Sequence, residues 1–332
     1  MTTSLYLATS HSLVSVERNA DGWRETKRVL PNQHITSVIA REGVILAGTP
    51  NGIFRSDDFG QTWREASTGL TERHIRWLAY HPDISDCEFA GTEPASIFIS
   101  RDGAETWREC AEIAPLRERF GWFLPYSSGA GCVRGFAFHG ARAYAAVEVG
   151  GVLVSNDGGE TWALAQGSDG NPDLDGPPAP FIYPDVHSIH THPASPDLVF
   201  APTGGGFYCS TDGGQNWECR YDCYCRAMWV DPADPQHIIL SPADGVDANG
   251  RIEVTRDGGH TWALASTGLS VPWPRGMVER FVQMGNELLA VLSNGQLLAA
   301  PLATLEWQRI LPEVKGVEAV AAMGERHDPS AS

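Results

Sequence analysis

The chain has 332 residues, 42% hydrophobic and 20% charged, which excludes a disordered polypeptide and supplies material for a sizeable core. Its 24 basic and 41 acidic side chains give a formal charge of -17, so most of the surface repels nucleic-acid phosphate and anionic lipid. Neither nucleic acid nor membrane is therefore an expected partner, and any anion must be caught in a local positive pocket.

At roughly 150 residues per domain the length suggests two domains, but closed all-β rings break that rule. The 35 glycines, 22 prolines and 11 tryptophans favour many short strands joined by tight turns over long helices. From Met1 to His11 there is neither a basic start nor an apolar run of signal length, so the expected location is the cytoplasm. Seven cysteines, an odd number, fit reduced thiols there better than a disulfide framework. No segment approaches about 20 consecutive apolar residues.

An eight-residue pattern recurs along the chain: SDDFGQTW at 56–63, SRDGAETW at 100–107, SNDGGETW at 155–162, STDGGQNW at 210–217 and TRDGGHTW at 255–262. The starts lie 44, 55, 55 and 45 residues apart, and an alternating strand precedes each. Physically it is a hairpin turn. Asp takes the corner, Gly supplies positive φ, Ser or Thr bonds the backbone, and Trp packs under the next strand. Before each copy stand an apolar strand, a turn that is His-Pro in HIRWLAYHPDISDCEFAGT (74–92) and DVHSIHTHPASPDLVFAPT (185–203), and a second strand. Four strands per unit of about 45 residues is the arithmetic of a propeller blade. Two faded copies, near Trp23 and near Trp307, raise five blades to seven. The leftover strand Val317–Met323 is expected to complete the N-terminal blade and close the ring, removing sheet edges. The predicted fold is thus all-β, a single seven-bladed β-propeller over residues 1–325, followed by a polar tail (326–332) expected to be disordered.

The repeated octapeptide resembles the BNR or Asp-box repeat, and the chain from about residue 4 to 323 is similar to the sialidase-like β-propellers. Within that superfamily it looks closest to bacterial BNR-repeat proteins of glycosyl-hydrolase-like type, and more distantly to the photosystem II assembly-factor family. The resemblance implies a structural turn at each box and leaves the chemistry open, because propellers carry many functions. Typical sialidases have an Arg-Ile-Pro motif, an arginine triad and a Tyr/Glu pair in six blades. No Arg-Ile-Pro occurs here, so sialidase activity proper is not expected.

A site is expected where the inner strands begin, around one mouth of the central channel, with the boxes on the opposite face. Aligning the inner strands places Thr36, Arg76, Arg134, His187, Arg226, Glu279 and Glu318 in one column. The ends of the second strands add Thr9, Thr49, Glu93, Glu148, Thr203, Asp244 and Ser293. Two readings of the arginines stand. Arg76, Arg134 and Arg226 can grip a carboxylate, sulfate or phosphate, with Glu318 beside them. Alternatively Arg76 pairs with Glu93 and Arg134 with Glu148, tying neighbouring blades together.

Long loops before blades 4 to 7 carry Trp122, Tyr126, Phe181, Tyr183, Tyr224 and Trp273, which can stack on a sugar or ring face or anchor their own loops. If the mouth is catalytic, Glu148, Glu93, Glu279 and Asp244 are the acid/base candidates and His187 a general base, as glycoside hydrolysis requires. His190 and His192 read as turn packing, and Cys209, Cys219, Cys223 and Cys225 lack zinc spacing. Asp169, Asn171, Asp173 and Asp175 have the oxygen spacing of a calcium loop without its closing acidic residue. Calcium is the one ion the sequence suggests, and no organic cofactor is expected. The expectation is a ligand-binding or scaffold propeller for an anionic or glycan-like small molecule or a protein partner; the alternative is a hydrolase or lyase of sugar-like substrates.

Overall fold

The computed structural model describes residues 4–20 and 22–323, so the tail at 326–332 lies outside the described residues. Twenty-eight strands form seven four-stranded antiparallel sheets. In six blades the strands follow chain order from the channel outward. In blade 1 the inner place is taken by Val317–Met323, which pairs antiparallel with Ser4–Thr9. Closure is therefore by the two ends of the chain, as the leftover strand predicts.

Strand residues alternate between two faces, so each blade offers an apolar surface to both neighbours. The consequence is seven hydrophobic clusters, each shared by two adjacent blades. In Ser4–Thr9, Leu5 and Leu7 pack toward blade 7 while Tyr6 and Ala8 pack toward blade 2. The core is thus a ring of interfaces surrounding a channel.

Each box forms the predicted turn. In blade 4, Ser155 Oγ donates to Asp157 Oδ1 (2.7 Å) and accepts the Gly159 N–H (2.9 Å). Asp157 also receives the Thr161 hydroxyl at 2.6 Å and its N–H at 3.0 Å. Gly159 has φ of 88°, and a Cβ there would stand 2.3 Å from the Phe89 ring of blade 3. The second glycine of the box therefore serves blade-to-blade contact as well as the turn.

One element departs from the all-strand expectation. Part of the long connection before blade 4 is a helix, Ile113–Phe120, ended by Gly121 in the left-handed region (φ 66°). No helix among the described residues is long and apolar enough to cross a membrane.

Candidate functional site

All of the predicted column of inner-strand residues except Thr36 sits at β-bulges. The inner and second strands slip register across Arg76, across Arg134, between Cys225 and Met228, across Glu279 and across Glu318. In blade 5 the pairs Val186↔Thr203 and His190↔Phe200 leave one extra residue on the inner strand next to His187. A bulge puts two residues opposite one and re-aims the extra side chain. The residues so re-aimed in blades 1, 3, 4, 6 and 7, Glu318, Arg76, Arg134, Arg226 and Glu279, line the mouth cavity, whereas His187 of blade 5 is enclosed.

Three arginines reach carboxylates. Arg76 bonds Glu93 at 2.8 Å, and Glu93 also accepts the Ser127 hydroxyl. Arg134 bonds Glu148 at 2.9 Å and approaches Glu279 at 3.5 Å, while Arg226 bonds the other oxygen of Glu279. The first two pairs lie within blades 3 and 4, which corrects the expectation that they tie neighbouring blades. Glu279 makes the longer link, joining blade 7 to blades 4 and 6 around the channel.

Burial alone would protonate Glu148, but the Arg134 guanidinium, His187 and the Cys132 thiol outweigh it and hold its pKa down to about 2. Glu279 is likewise lowered: burial opposes its charge, and Arg226 and Arg134 prevail. Both are ionised and ion-paired, unsuited to donating a proton at neutral pH. Glu318 is at the mouth but pairs with His34, 2.7 Å away.

His187 is enclosed. Its Nδ1 faces the Cys225 carbonyl at 2.8 Å, and its Nε2 has Asp185 Oδ2 at 3.1 Å and the Tyr224 hydroxyl at 3.3 Å. With no exposed side-chain area, it does not meet a substrate at the mouth as a general base. Glu148, Asp185 and His187 offer ligand atoms all within 4.8 Å of one another, a donor set that suits a divalent ion. Here Arg134 already sits on Glu148, and Asp185 lies against the imidazole.

Arg280, absent from the predicted column, is the arginine lining the mouth cavity that makes no ion pair with a carboxylate among the described residues. Its guanidinium lies 3.9 Å from the centre of the Trp77 ring, and its one hydrogen bond runs to the Thr36 carbonyl at 3.4 Å. Burial, reinforced by Arg134 and Arg76 against the pull of Glu279, lowers its pKa to about 9, so it remains charged at neutral pH. A signal existed in the sequence. One place after the column stand Ser37, Trp77, Gly135, Ser188, Ala227, Arg280 and Ala319, and only Arg280 is charged. Arg280, Arg76, Arg134, Arg226, Glu279 and Glu318 all line a mouth cavity of about 640 Å³.

The aromatic candidates divide. Tyr126 is exposed and lines that cavity, as does Val246, which the sequence did not single out. Tyr224 sits beneath, its hydroxyl 2.9 Å from Arg226 Nη2, and so positions that arginine. Trp122 is 3% exposed with its indole N–H on the Gly170 carbonyl, a core anchor closed to ligand. Tyr183 bonds the Leu174 carbonyl at 2.7 Å and covers Gly205, and Trp273 pairs its backbone with Gly250. Both fasten their own loops.

Asp244 is also outside the central mouth, near Arg251 (3.5 Å) and Asn249 (3.0 Å), in a separate cavity of about 330 Å³ with Tyr224. Thr9 and Thr203 bond the turn carbonyls of Ser12 and Gly206 and are structural. Asp169 and Asp173 bond backbone N–H groups of Asn171 and Asp175, and the carboxylates of 169–175 do not gather into a ligand group among the described residues. His192 accepts the Ala194 N–H at 3.1 Å, as His81 accepts that of Asp83, which is the turn role expected of both. All seven cysteines are free.

With this geometry in place, the class is plain: a seven-bladed β-propeller built on BNR/Asp-box repeats. The BNR/Asp-box repeat family model matches residues 208–218, the box of blade 5. No curated protein matches the chain by sequence. Among solved structures, YCF48 bound to D1 peptide superposes with a TM-score of 0.61 at 14% identity, over 90% of this chain and 88% of that one. An ancestral GH74 enzyme gives 0.61 at 18% identity over 87% of this chain and 38% of its own. The GH74 xyloglucanase from Xanthomonas campestris gives 0.61 at 17% over 84% and 45%. The chain thus spans less than half the length of these GH74 enzymes. At these identities the likeness is one of fold.

Proposed function

We propose that the protein is a non-catalytic binding propeller that captures the anionic group of a small molecule at the bulged mouth. The observation that carries this is Arg280. Three of four arginines are neutralised by Glu93, Glu148 and Glu279, whereas Arg280 is held by an aromatic face and one carbonyl. A half-buried guanidinium with no carboxylate in ion-pair contact offers an anion a charge-assisted hydrogen bond already stripped of part of its water. The paired arginines keep the mouth rigid, and Tyr126 and Val246 supply an exposed apolar rim.

The ion-paired carboxylates weigh against the glycosidase alternative. Arg134 stands between Glu148 and Glu279, where a retaining or inverting pair needs one protonated acid and room for a sugar or water. The neighbours broaden the range of ligands to test: YCF48 was solved with D1 peptide, and one GH74 neighbour is a xyloglucanase.

Calorimetric titration with glucuronate, sialic acid, a phosphosugar and an acidic peptide tests the reading. At least one is expected to bind the wild type, and Arg280→Ala to weaken it about 10- to 100-fold, the worth of a charged hydrogen bond. Arg108→Ala, on the box face, is expected to change nothing. Failure of every anion to bind, or equal binding by Arg280→Ala, sinks the proposal; release of product from a glycan overturns its non-catalytic half.

A further inference from the structure

Beneath the mouth the channel continues between the inner strands. A chamber of about 330 Å³ lies one to three residues further along the inner strands, walled in part by Trp77, Phe136, Phe281, Met228, Ile39 and Val320. Both serine hydroxyls in its wall are already committed. Ser188 Oγ donates to the Arg226 carbonyl at 2.9 Å, and Ser37 Oγ accepts the Leu78 N–H at 3.0 Å. His190 has only Ser188 Oγ nearby, at 3.4 Å, and burial lowers its pKa to about 4, leaving it neutral. An apolar group that enters against Trp77, Phe136 and Phe281 gains by leaving water.

Arg226, Glu279 and Arg280 line both this chamber and the mouth cavity above it. The guanidinium that makes no ion pair therefore stands at the roof of the chamber, stacked on Trp77, which with Phe136, Phe281 and Met228 belongs to the apolar part of the wall below. We propose that the ligand is a small amphiphilic anion, whose charged head rests on Arg280 and whose apolar tail descends into the chamber. This rests on the mouth reading above and adds the tail. A tail on the opposite side of the head would reach only the exposed rim, whereas the chamber removes it from water.

Calorimetric titration with acetate, butanoate, hexanoate and octanoate, below micelle-forming concentrations and at fixed ionic strength, separates the two claims. The dissociation constant is expected to fall about fourfold per methylene until the chamber is full. Ala79→Phe and Val320→Phe, which fill the chamber without touching Arg280, are expected to abolish that chain-length dependence and spare the binding of short anions. Thermal unfolding verifies that each variant is folded, and 1-octanol, the tail without its charge, is expected to bind at least tenfold more weakly than octanoate. If short anions bind but affinity does not rise with length, the tail is refuted and the mouth reading stands. If nothing in the series binds, nor any anion of the previous screen, both fall. Octanoate binding that neither filling variants nor Arg280→Ala reduce is adsorption elsewhere and refutes the assignment.

Discussion

Glu88 shows how the same ring treats a carboxylate that finds no guanidinium partner. It lies on the second strand of blade 3, 2% exposed, with Oε2 unbonded beside Arg41, Arg55 and Tyr80. Burial raises its pKa to about 7 against the pull of Arg41, so the folded state favours the protonated acid over the unfolded chain. Its contribution to stability is complete below the ordinary value of 4.5 and disappears as the pH rises through about 7. Denaturant unfolding at a series of pH values is expected to show the wild type losing roughly 1–3 kcal/mol across that window, and Glu88→Gln to lack the slope. An equal slope in both proteins rejects the assignment. At the mouth, by contrast, Glu148 and Glu279 are held ionised by Arg134 and Arg226. Position in the sheet, and not residue type, decides which carboxylate keeps its proton.

The box is the element that turns sequence into architecture. Trp162 bonds the Gly159 carbonyl of its own turn at 3.0 Å, and its ring meets Phe89 of blade 3 edge-on at 6.4 Å. Trp107 and Trp307 instead bond the Ala66 and Ala265 carbonyls of the preceding blades, each at 2.9 Å. Both arrangements wedge an indole between blades, so the tryptophan is a seam residue. Trp162→Ala is expected to lower unfolding free energy by about 3–5 kcal/mol in chemical denaturation, as loss of a buried aromatic does. The exposed Leu264, on the outermost strand, is expected to tolerate alanine within about 0.5 kcal/mol. The box was legible because five copies of one turn share their chemistry. The helix Ile113–Phe120 was not, since eight residues with one buried side chain give no clear apolar periodicity.

For the whole molecule, closure is the decisive contact. Val317–Met323 supplies both the inner strand of blade 1 and apolar residues to the interfaces with blades 7 and 2. Ending the chain at residue 316 opens the ring on its channel side. The expected result is loss of the single cooperative thermal transition, measured by calorimetry; an unchanged transition would mean that the ring is held without its clasp.

The sequence by itself determined the blade count, the box turns, the closing strand and the column that becomes the mouth, because turn chemistry and strand alternation act over a few residues and repeat. It also named the pairs of Arg76 with Glu93 and Arg134 with Glu148 as one of two readings. Tertiary structure alone decided that these pairs stay within blades, that Glu279 joins three blades, and that Trp122 faces the core. It likewise left Arg280 as the mouth arginine without an ion pair, stacked on a tryptophan two hundred residues earlier in the chain. The reason is physical: a bulge shifts side-chain direction by one residue, and partners across a closed channel are neighbours only after all seven blades have met.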